Sequence, residues 1–485
     1  MLHIFSLNYT WLNIFLYMNI LIALSFIFFS KKPPTTTWAW IMIMLFIPLF
    51  GFILYLFLGQ DLRKRKTFSK KEEKDRFSAL LQRQRFSLLH HLEEYDNPLI
   101  RNYENLIRLN LNAHESIYTE DNTLKILTDG KLLFDDLFES IEEAKKYIHM
   151  ESYIIRDDRL GQQFKDLLIK KALEGVEIFI LYDDMGCFTT PKKYFYELRK
   201  AGIHVACFFP SFIPFLKLRA NYRNHRKICV IDGCVAYLGG FNIGDEYLGL
   251  NPKLGYWRDT HLKIRGSSIS FINLQFLLDR RFATREDFSL DHYIPLETDN
   301  HFGSVGMQIV SSGPDSRYSS VRNGYIQMIH AAKKSIFIQT PYFIPDEAVL
   351  TALKLAALSG IDVRIMIPNK PDHMIVYWAT YAHIGEVLGC GVRCYTYEKG
   401  FLHAKTIIID DTIASVGTAN FDVRSFKLNF EINAFIYNSE IAKELSHIFF
   451  EDLNECKEIT KDAYANRSVG IYFKESISRL LSPIL

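Results

Sequence analysis

The stretch His225-Arg226-Lys227-Ile228-Cys229-Val230-Ile231-Asp232-Gly233-Cys234-Val235-Ala236-Tyr237-Leu238 reads as an apolar strand, a turn and a second apolar strand. Its chemical residues recur. His225, Lys227, Asp232, Gly239 and Asn242 return as His403, Lys405, Asp410, Gly417 and Asn420 with identical internal offsets. A five-position pattern repeated residue for residue marks a duplicated unit rather than a chance match.

Asp-Gly between two apolar runs is a strong hairpin signal. A two-residue turn would place Ile231 opposite Cys234 and His225 opposite Gly240. With Asp410-Asp411 as the turn, Ile409 would face Thr412 and His403 would face Thr418. Each histidine would then lie across from a small residue, with room beside its ring. Strand periodicity puts His225 and Lys227 on one face and His403 and Lys405 on one face, with Arg226 and Ala404 turned away. An imidazole beside an ammonium suits a tetrahedral oxyanion, since lysine is a compact charge for phosphate and histidine attacks or shuttles a proton near neutral pH. A lone histidine at the start of an apolar strand is more often structural; the duplication is what favours chemistry.

The doubled pattern resembles the phospholipase D superfamily, whose two His-Lys-Asp motifs meet across a pseudo-twofold axis. The resemblance implies a catalytic set of His225, Lys227, Asp232, His403, Lys405 and Asp410. One histidine would attack phosphorus, giving a covalent phospho-histidine, and the other would protonate the leaving oxygen, while the lysines with Asn242 and Asn420 hold the phosphate oxygens without metal. Spacing does not choose the nucleophile; the habit of relatives favours His225. Each imidazole needs an acceptor to fix its tautomer, and the family pattern supplies Asp259, in Tyr256-Trp257-Arg258-Asp259-Thr260-His261, and Glu431, in Asn429-Phe430-Glu431-Ile432-Asn433. Asp232 and Asp410 fall in the turns and are expected to organise the hairpin and its lysine. Gly240 departs from the serine common in the first motif, with Thr418 at the equivalent second position, and the change puts one hydroxyl hydrogen bond in question.

The 485 residues suggest about three domain-sized units, and the 48% hydrophobic content is ample for a large core. From Ser6 to Ser30 and from Pro33 to Gln60 there is no charged residue, so each stretch exceeds the ~20 residues that cross a bilayer. Two spanning helices within 1–60 are expected, because a cleaved signal peptide would have a basic start, a shorter apolar run and a small-residue cleavage site. Arg63, Lys64, Arg65, Lys66, Lys70, Lys71, Lys74 and Arg76 follow, against only Lys31 and Lys32 between the spans. The heavier cluster sets a multi-pass cell-membrane protein with its amino terminus and catalytic halves on the cytoplasmic side. Residues 61–111 are polar and helical in appearance and read as a basic juxtamembrane linker or a short helical hairpin, its basic start touching anionic lipid or serving only as a stop-transfer signal.

Beyond the linker the chain repeats. Ala144-Lys145-Lys146-Tyr147-Ile148 resembles Ala332-Lys333-Lys334-Ser335-Ile336, Gly175-Val176-Glu177-Ile178 resembles Gly360-Ile361-Asp362-Val363, and Gly202-Ile203-His204-Val205 resembles Gly391-Val392-Arg393-Cys394. In each copy helix and strand alternate three times before the motif hairpin. This predicts an α/β fold of two sandwich halves, 112–300 and 301–485, related by pseudo-twofold symmetry and preceded by the two membrane helices. Neither half would hold a complete site. The seven cysteines include no Cys-x-x-Cys pair, and there is no glycine-rich nucleotide loop, so neither metal nor cofactor is expected. Cys207, Cys229, Cys234 and Cys394 lie in strand-like runs that suit buried thiols.

The substrate class follows from anchoring and charge. A net charge of only +2, with the densest basic run beside the membrane span, speaks against nucleic acid. Phe208-Phe209-Pro210-Ser211-Phe212-Ile213-Pro214-Phe215-Leu216 could dip into lipid headgroups or form a buried crossover, and Ser476–Leu485 could touch membrane or pack on the second half. The layout is similar to that of bacterial cardiolipin synthases, with specific matches at Leu127-Thr128-Asp129-Gly130, Gln339-Thr340-Pro341-Tyr342-Phe343-Ile344-Pro345-Asp346 and Gly417-Thr418-Ala419-Asn420-Phe421-Asp422. That resemblance implies a phosphatidyltransferase that joins two phosphatidylglycerol molecules into cardiolipin and glycerol. A phospholipase D-like hydrolase of lipid or nucleic acid is the alternative, and a scaffold with a decayed site is disfavoured by two intact motifs. Nothing in the sequence sets an oligomeric state.

Overall fold

The computed structural model describes residues 34–47, 81–88, 95–209, 222–286, 292–293 and 302–480, with a few isolated positions. The chain divides into two compact units, residues 1–64 with 211–222 and residues 65–210 with 223–485. In the first unit the described element is the helix Pro34–Phe46. Most of the two charge-free stretches, the basic cluster after them and the proline-broken loop from 210 to 221 lie outside the described residues. No helix among the described residues is long and apolar enough to cross a membrane.

The second unit is built from two copies of one sheet. In the first half the strands run in the order 204–208, 177–183, 147–152, 228–231, 235–239, 256–265, 118–129. The second half follows the same plan with 393–397, 362–368, 335–339, 406–409, 413–417, 429–437, 305–312. The first three strands of each order are parallel and joined by helices, as the helix–strand alternation predicts. The long strands Tyr118–Asp129 and Val305–Ser312 open each half and were not foreseen; they pair antiparallel with each other, Tyr118 opposite Gln308. One continuous strand system therefore runs through both halves.

Local chemistry sets the boundaries. Asp129 caps the helix Gly130–Glu142 by accepting from the Lys131 and Leu132 amides, and Asp346 caps Glu347–Leu358 through the Val349 amide. Gly175 and its counterpart Gly360 stop their helices at φ 93° and 91°, a left-handed conformation open to glycine, and turn the chain into the next strand. Alternation then divides the core. Ile178 and Ile180 pack with Leu137, Phe164 and Leu168 of the flanking helices. Phe179 and Leu181 join the larger core that runs on into the second half.

The segment before residue 112 ends in a helix, in keeping with its helical appearance, and that helix packs into the core. The helix Leu99–His114 buries Ile100, Leu106, Ile107 and Leu111 in that shared core, and its buried Asn110 donates to Gln308 of the second half. Arg101, Glu104 and Arg108 lie on its outer, less buried face.

The motif hairpins form, with a register one residue later than expected. Asp232 and Gly233 have φ of 53° and 67°, Asp410 and Asp411 both 54°, and the Cys234 amide bonds the Ile231 carbonyl at 3.0 Å. The ladder nevertheless pairs Ile231 with Val235 and Ile409 with Ile413. Cys234 and Thr412 are extra residues on the return strand, which the turn signal alone could not show. Cys234 is consequently exposed rather than buried, while Cys229 and Cys394 are buried.

Asp232 accepts from the Lys145, Lys146 and Tyr147 amides at 2.7, 2.7 and 2.8 Å. Asp410 repeats this on Lys333, Lys334 and Ser335 at 2.7 Å each. These carboxylates staple the turn to the start of the neighbouring strand. They do not organise the lysines, which lie five residues away, about 16 Å along the strand. Both belong with the scaffold, not with the reacting groups. Asp232→Ala or Asp410→Ala is therefore expected to cost about 2 kcal/mol of stability by denaturant titration, with kcat of the folded protein changed less than about threefold.

Candidate active site

Two short parallel pairings between the halves build the site. Arg223 and Asn224 pair with Asn429 and Phe430, and Gly400, Phe401 and Leu402 pair with Tyr256, Trp257 and Arg258. The next residue on each side is a motif histidine and the acid of the opposite half. The His225 amide bonds the Phe430 carbonyl at 2.9 Å, and the His403 amide bonds the Arg258 carbonyl at 2.6 Å. The pairing is crossed: His225 Nδ1 lies 3.0 Å from Glu431 Oε2, and His403 Nδ1 lies 2.6 Å from Asp259 Oδ2. With each Nδ1–H donated to a carboxylate, the Nε2 lone pair of each ring is left for chemistry.

The lysines turn back on the same groups. Lys227 Nζ donates to the His225 carbonyl at 2.7 Å, Lys405 Nζ to the His403 carbonyl, and Lys405 Nζ also lies 2.8 Å from His403 Nδ1. Both lysines are buried. Burial lowers Lys227 to about 7 and Lys405 to about 8, against the pull of Glu431 and Asp259. Burial also lowers His225 and takes His403 to about 4, with Lys405 adding to the effect on His403. Burial alone would raise Asp259 and Glu431; the lysine and histidine beside each outweigh it and hold both carboxylates below their usual range. The two motifs feel one another directly, since Lys405 acts on His225 and Lys227 acts on His403. With both lysines lowered by burial, an arriving phosphodiester anion favours full protonation of the lysines and a proton held on an imidazole.

The asparagines are less alike than their spacing suggests. Asn242 accepts from the Ile154 amide at 3.2 Å and donates to Tyr247 at 3.0 Å, so much of its amide holds the loop. Asn420 donates to Asp422 at 3.0 Å, while its Oδ1 is buried with no hydrogen-bond partner among the described residues and suits a substrate hydroxyl. Gly240 has a larger role than the sequence implies. A Cβ there would come within 1.9 Å of Asp259 Oδ1. The missing side chain is the space that the Asp259 carboxylate occupies, so more than a serine hydroxyl is at stake.

Several residues here carry no motif signal. Tyr153 packs edge-on against His225 at 5.1 Å, and Trp257 lies 5.0 Å from His403. Arg226, expected only to point away, reaches across the interface: its Nε bonds the Glu431 carbonyl and its Nη2 the Ser312 carbonyl, each at 3.2 Å, with Nη1 on Asp279. Arg258 makes the complementary crossing to Asp452 at 3.0 Å. An arginine inside an apolar strand must find a carboxylate, which is the signal that could have flagged Arg226.

A family model described as "Cardiolipin synthase, PLD-like domain" matches residues 137–257 and 325–453, which take in both histidine–lysine pairs and Glu431. This chain belongs to the cardiolipin synthase family of the phospholipase D superfamily. A second model, "Phospholipase_D-nuclease N-terminal", matches residues 18–60. The cardiolipin synthase of Oceanobacillus iheyensis is 50% identical over 96% of this chain and 97% of its own. The major cardiolipin synthase ClsA of Bacillus subtilis is 49% identical over 99% of this chain and 100% of its own. Among solved structures, a phosphatidylserine synthase of Haemophilus influenzae covers 79% of this chain and 100% of its own with a TM-score of 0.58; at 15% identity it shares the fold. The family membership agrees with the duplicated motif, and the α/β architecture in two halves agrees with the sequence reading.

Proposed function

We propose that the chain is a phosphatidyltransferase that joins two phosphatidylglycerol molecules into cardiolipin and glycerol through a phosphatidyl-histidine on His225. The observation that carries this reading is the crossed pair of histidine–carboxylate contacts, His225 with Glu431 and His403 with Asp259, in a chain of this family. Lys227 and Lys405 bind the non-bridging phosphate oxygens and regain full charge as the anion arrives. His225 Nε2 attacks phosphorus, the bond to the departing glycerol oxygen breaks, and His403, protonated in the loaded site, gives that oxygen its proton. Neutral His403 then takes the proton from the headgroup hydroxyl of the second phosphatidylglycerol. Its oxygen attacks phosphorus, and the P–N bond to His225 breaks. One phosphodiester replaces another, so no nucleotide is needed. Burial of the site keeps water from the intermediate, which hydrolysis would divert to phosphatidic acid.

Membrane anchoring belongs to the same proposal. Two spanning helices within residues 1–60 hold the catalytic halves at the cytoplasmic face; the charge-free stretches, the basic cluster at 63–76 and the match of residues 18–60 to the phospholipase D-nuclease N-terminal model support this.

The test is the purified full-length protein in phosphatidylglycerol vesicles with no nucleotide added. Cardiolipin and glycerol should appear in equal amounts. Dominant phosphatidic acid, cutting of oligonucleotides, or a requirement for a cytidine-activated lipid would each overturn the reading.

A further inference from the structure

The last helix of the described chain, Val469–Leu480, is turned inside out. Its buried side chains are Glu475 and Ser478. Val469, Tyr472, Phe473, Ile477 and Leu480 are between 45% and 84% exposed. Positions 469, 472, 473, 477 and 480 follow the helical spacing of a single stripe, so the apolar face of an amphipathic helix faces outward. The inward orientation is held by specific polar contacts. Glu475 accepts from Tyr464 Oη at 3.0 Å and from Arg467 Nε at 2.8 Å. Tyr464 in turn packs on the Cα of Gly385, where a Cβ would meet its ring at 2.2 Å. The helix is thus anchored by its polar side onto the helix Met374–Leu388.

We infer that this stripe, with the exposed Met374 and Ile375 at the start of the neighbouring helix, is a docking face for the anionic surface of a lipid bilayer. Three observations choose that occupant. The exposed charged side chains on Val469–Leu480 are Lys474 and Arg479, both basic, and its single acid, Glu475, is buried and paired. Basic residues beside a Tyr/Phe/Ile/Leu stripe are the composition of helices that lie in the headgroup plane, reaching ~5–10 Å inward. Second, Lys474 Nζ sits over the Trp378 ring at 5.2 Å, an amphipathic pair that keeps charge at headgroup level above an apolar rim. Third, the segment entering the neighbouring helix is linked to the reaction site. Asp372, two residues before Met374, bonds the Tyr342 hydroxyl, and its charge acts on Lys405. The chain leading into the helix on which the stripe is anchored is thus tied to the reaction site. The link to that site rests on the lipid reading above; the docking itself does not.

The experiment uses the full chain with Cys234→Ser, to remove the exposed native thiol, and Phe473→Cys carrying an environment-sensitive fluorophore. In phosphatidylglycerol vesicles the emission should shift to the blue and be quenched by nitroxide-bearing lipid, with a smaller shift in phosphatidylcholine vesicles. A water-like, unquenched emission in phosphatidylglycerol overturns the proposal. So does label-to-label energy transfer without lipid quenching, which would assign the face to a second copy of the chain. Neither readout needs turnover, so failure of the transferase reading is separately visible. Tyr472→Ser/Phe473→Ser/Ile477→Ser should lower the rate on bilayer phosphatidylglycerol several-fold and leave the rate on monomeric short-chain phosphatidylglycerol unchanged. An equal loss on both substrates, in a variant with unchanged denaturation midpoint, also overturns it.

Discussion

Alanine at His225 or at His403 is expected to lower the rate of cardiolipin formation by about 10,000-fold or more, with secondary structure and denaturation midpoint little changed. Each ring is held at one nitrogen only, and the group facing it is a carboxylate that the neighbouring lysine still partly satisfies: Lys405 Nζ lies 4.0 Å from Asp259 Oδ2, and Lys227 lowers Glu431. The fold therefore tolerates the loss better than the chemistry does. The two variants should separate with a phosphatidyl ester whose leaving group is already acidic, such as a nitrophenol. Such a group departs without a proton, so His403→Ala should recover the first step and accumulate phosphatidyl-enzyme, while His225→Ala should form none. Recovery in the His225 variant instead would reverse the two roles. Full activity in either single variant would remove that histidine from the reaction.

How much of this could be read from the chain depends on how local each feature is. The hairpins, the duplicated halves and the histidine–lysine pairs rest on short-range patterns, namely apolar runs, a turn with left-handed residues and fixed offsets, and these the sequence carries openly. The one-residue register error at Cys234 and Thr412 came from treating the turn as the whole loop; a bulge adds a residue without altering the turn signal. Asp232 and Asp410 stand in the motif but serve the backbone amides of the preceding strand. An aspartate fixed in a turn shows its position in the sequence, not the direction in which its carboxylate points. Arg226, Trp257 and Tyr153 were silent because their contacts cross between elements far apart in the chain. Gly240 was read as room beside the His225 ring and as a missing hydroxyl, whereas the space it leaves is filled by the Asp259 carboxylate. The helical character of the segment ending in Leu99–His114 was legible, but its packing was not, because its partners lie in the second half.

Glu431→Gln and Asp259→Asn should each cost about 1,000-fold in kcat, and the damage should follow the crossed geometry rather than the motif order. An amide in place of the carboxylate keeps the shape but can present its NH2 to Nδ1, which favours the wrong tautomer and leaves an imidazolium without its counter-charge. Because Glu431 holds His225 and Asp259 holds His403, an acidic leaving group should rescue Asp259→Asn in the first step and leave Glu431→Gln slow. If each acid instead served the histidine of its own half, the rescue would be seen in Glu431→Gln. The sign also follows from the charges. Glu431 is held below the usual carboxylate range chiefly by His225 against the cost of burial, so by reciprocity the carboxylate raises His225, and removing it should make that ring a weaker base and a weaker nucleophile. Asp259 has less freedom than Glu431, since its carboxylate fills the space over Gly240. Asp259→Glu should therefore be nearly as damaging as Asp259→Asn, whereas Glu431→Asp, which shortens the reach to His225 without a clash, should retain a measurable fraction of the activity. Equal tolerance of the two length changes would show that the space over Gly240 does not set the position of His403.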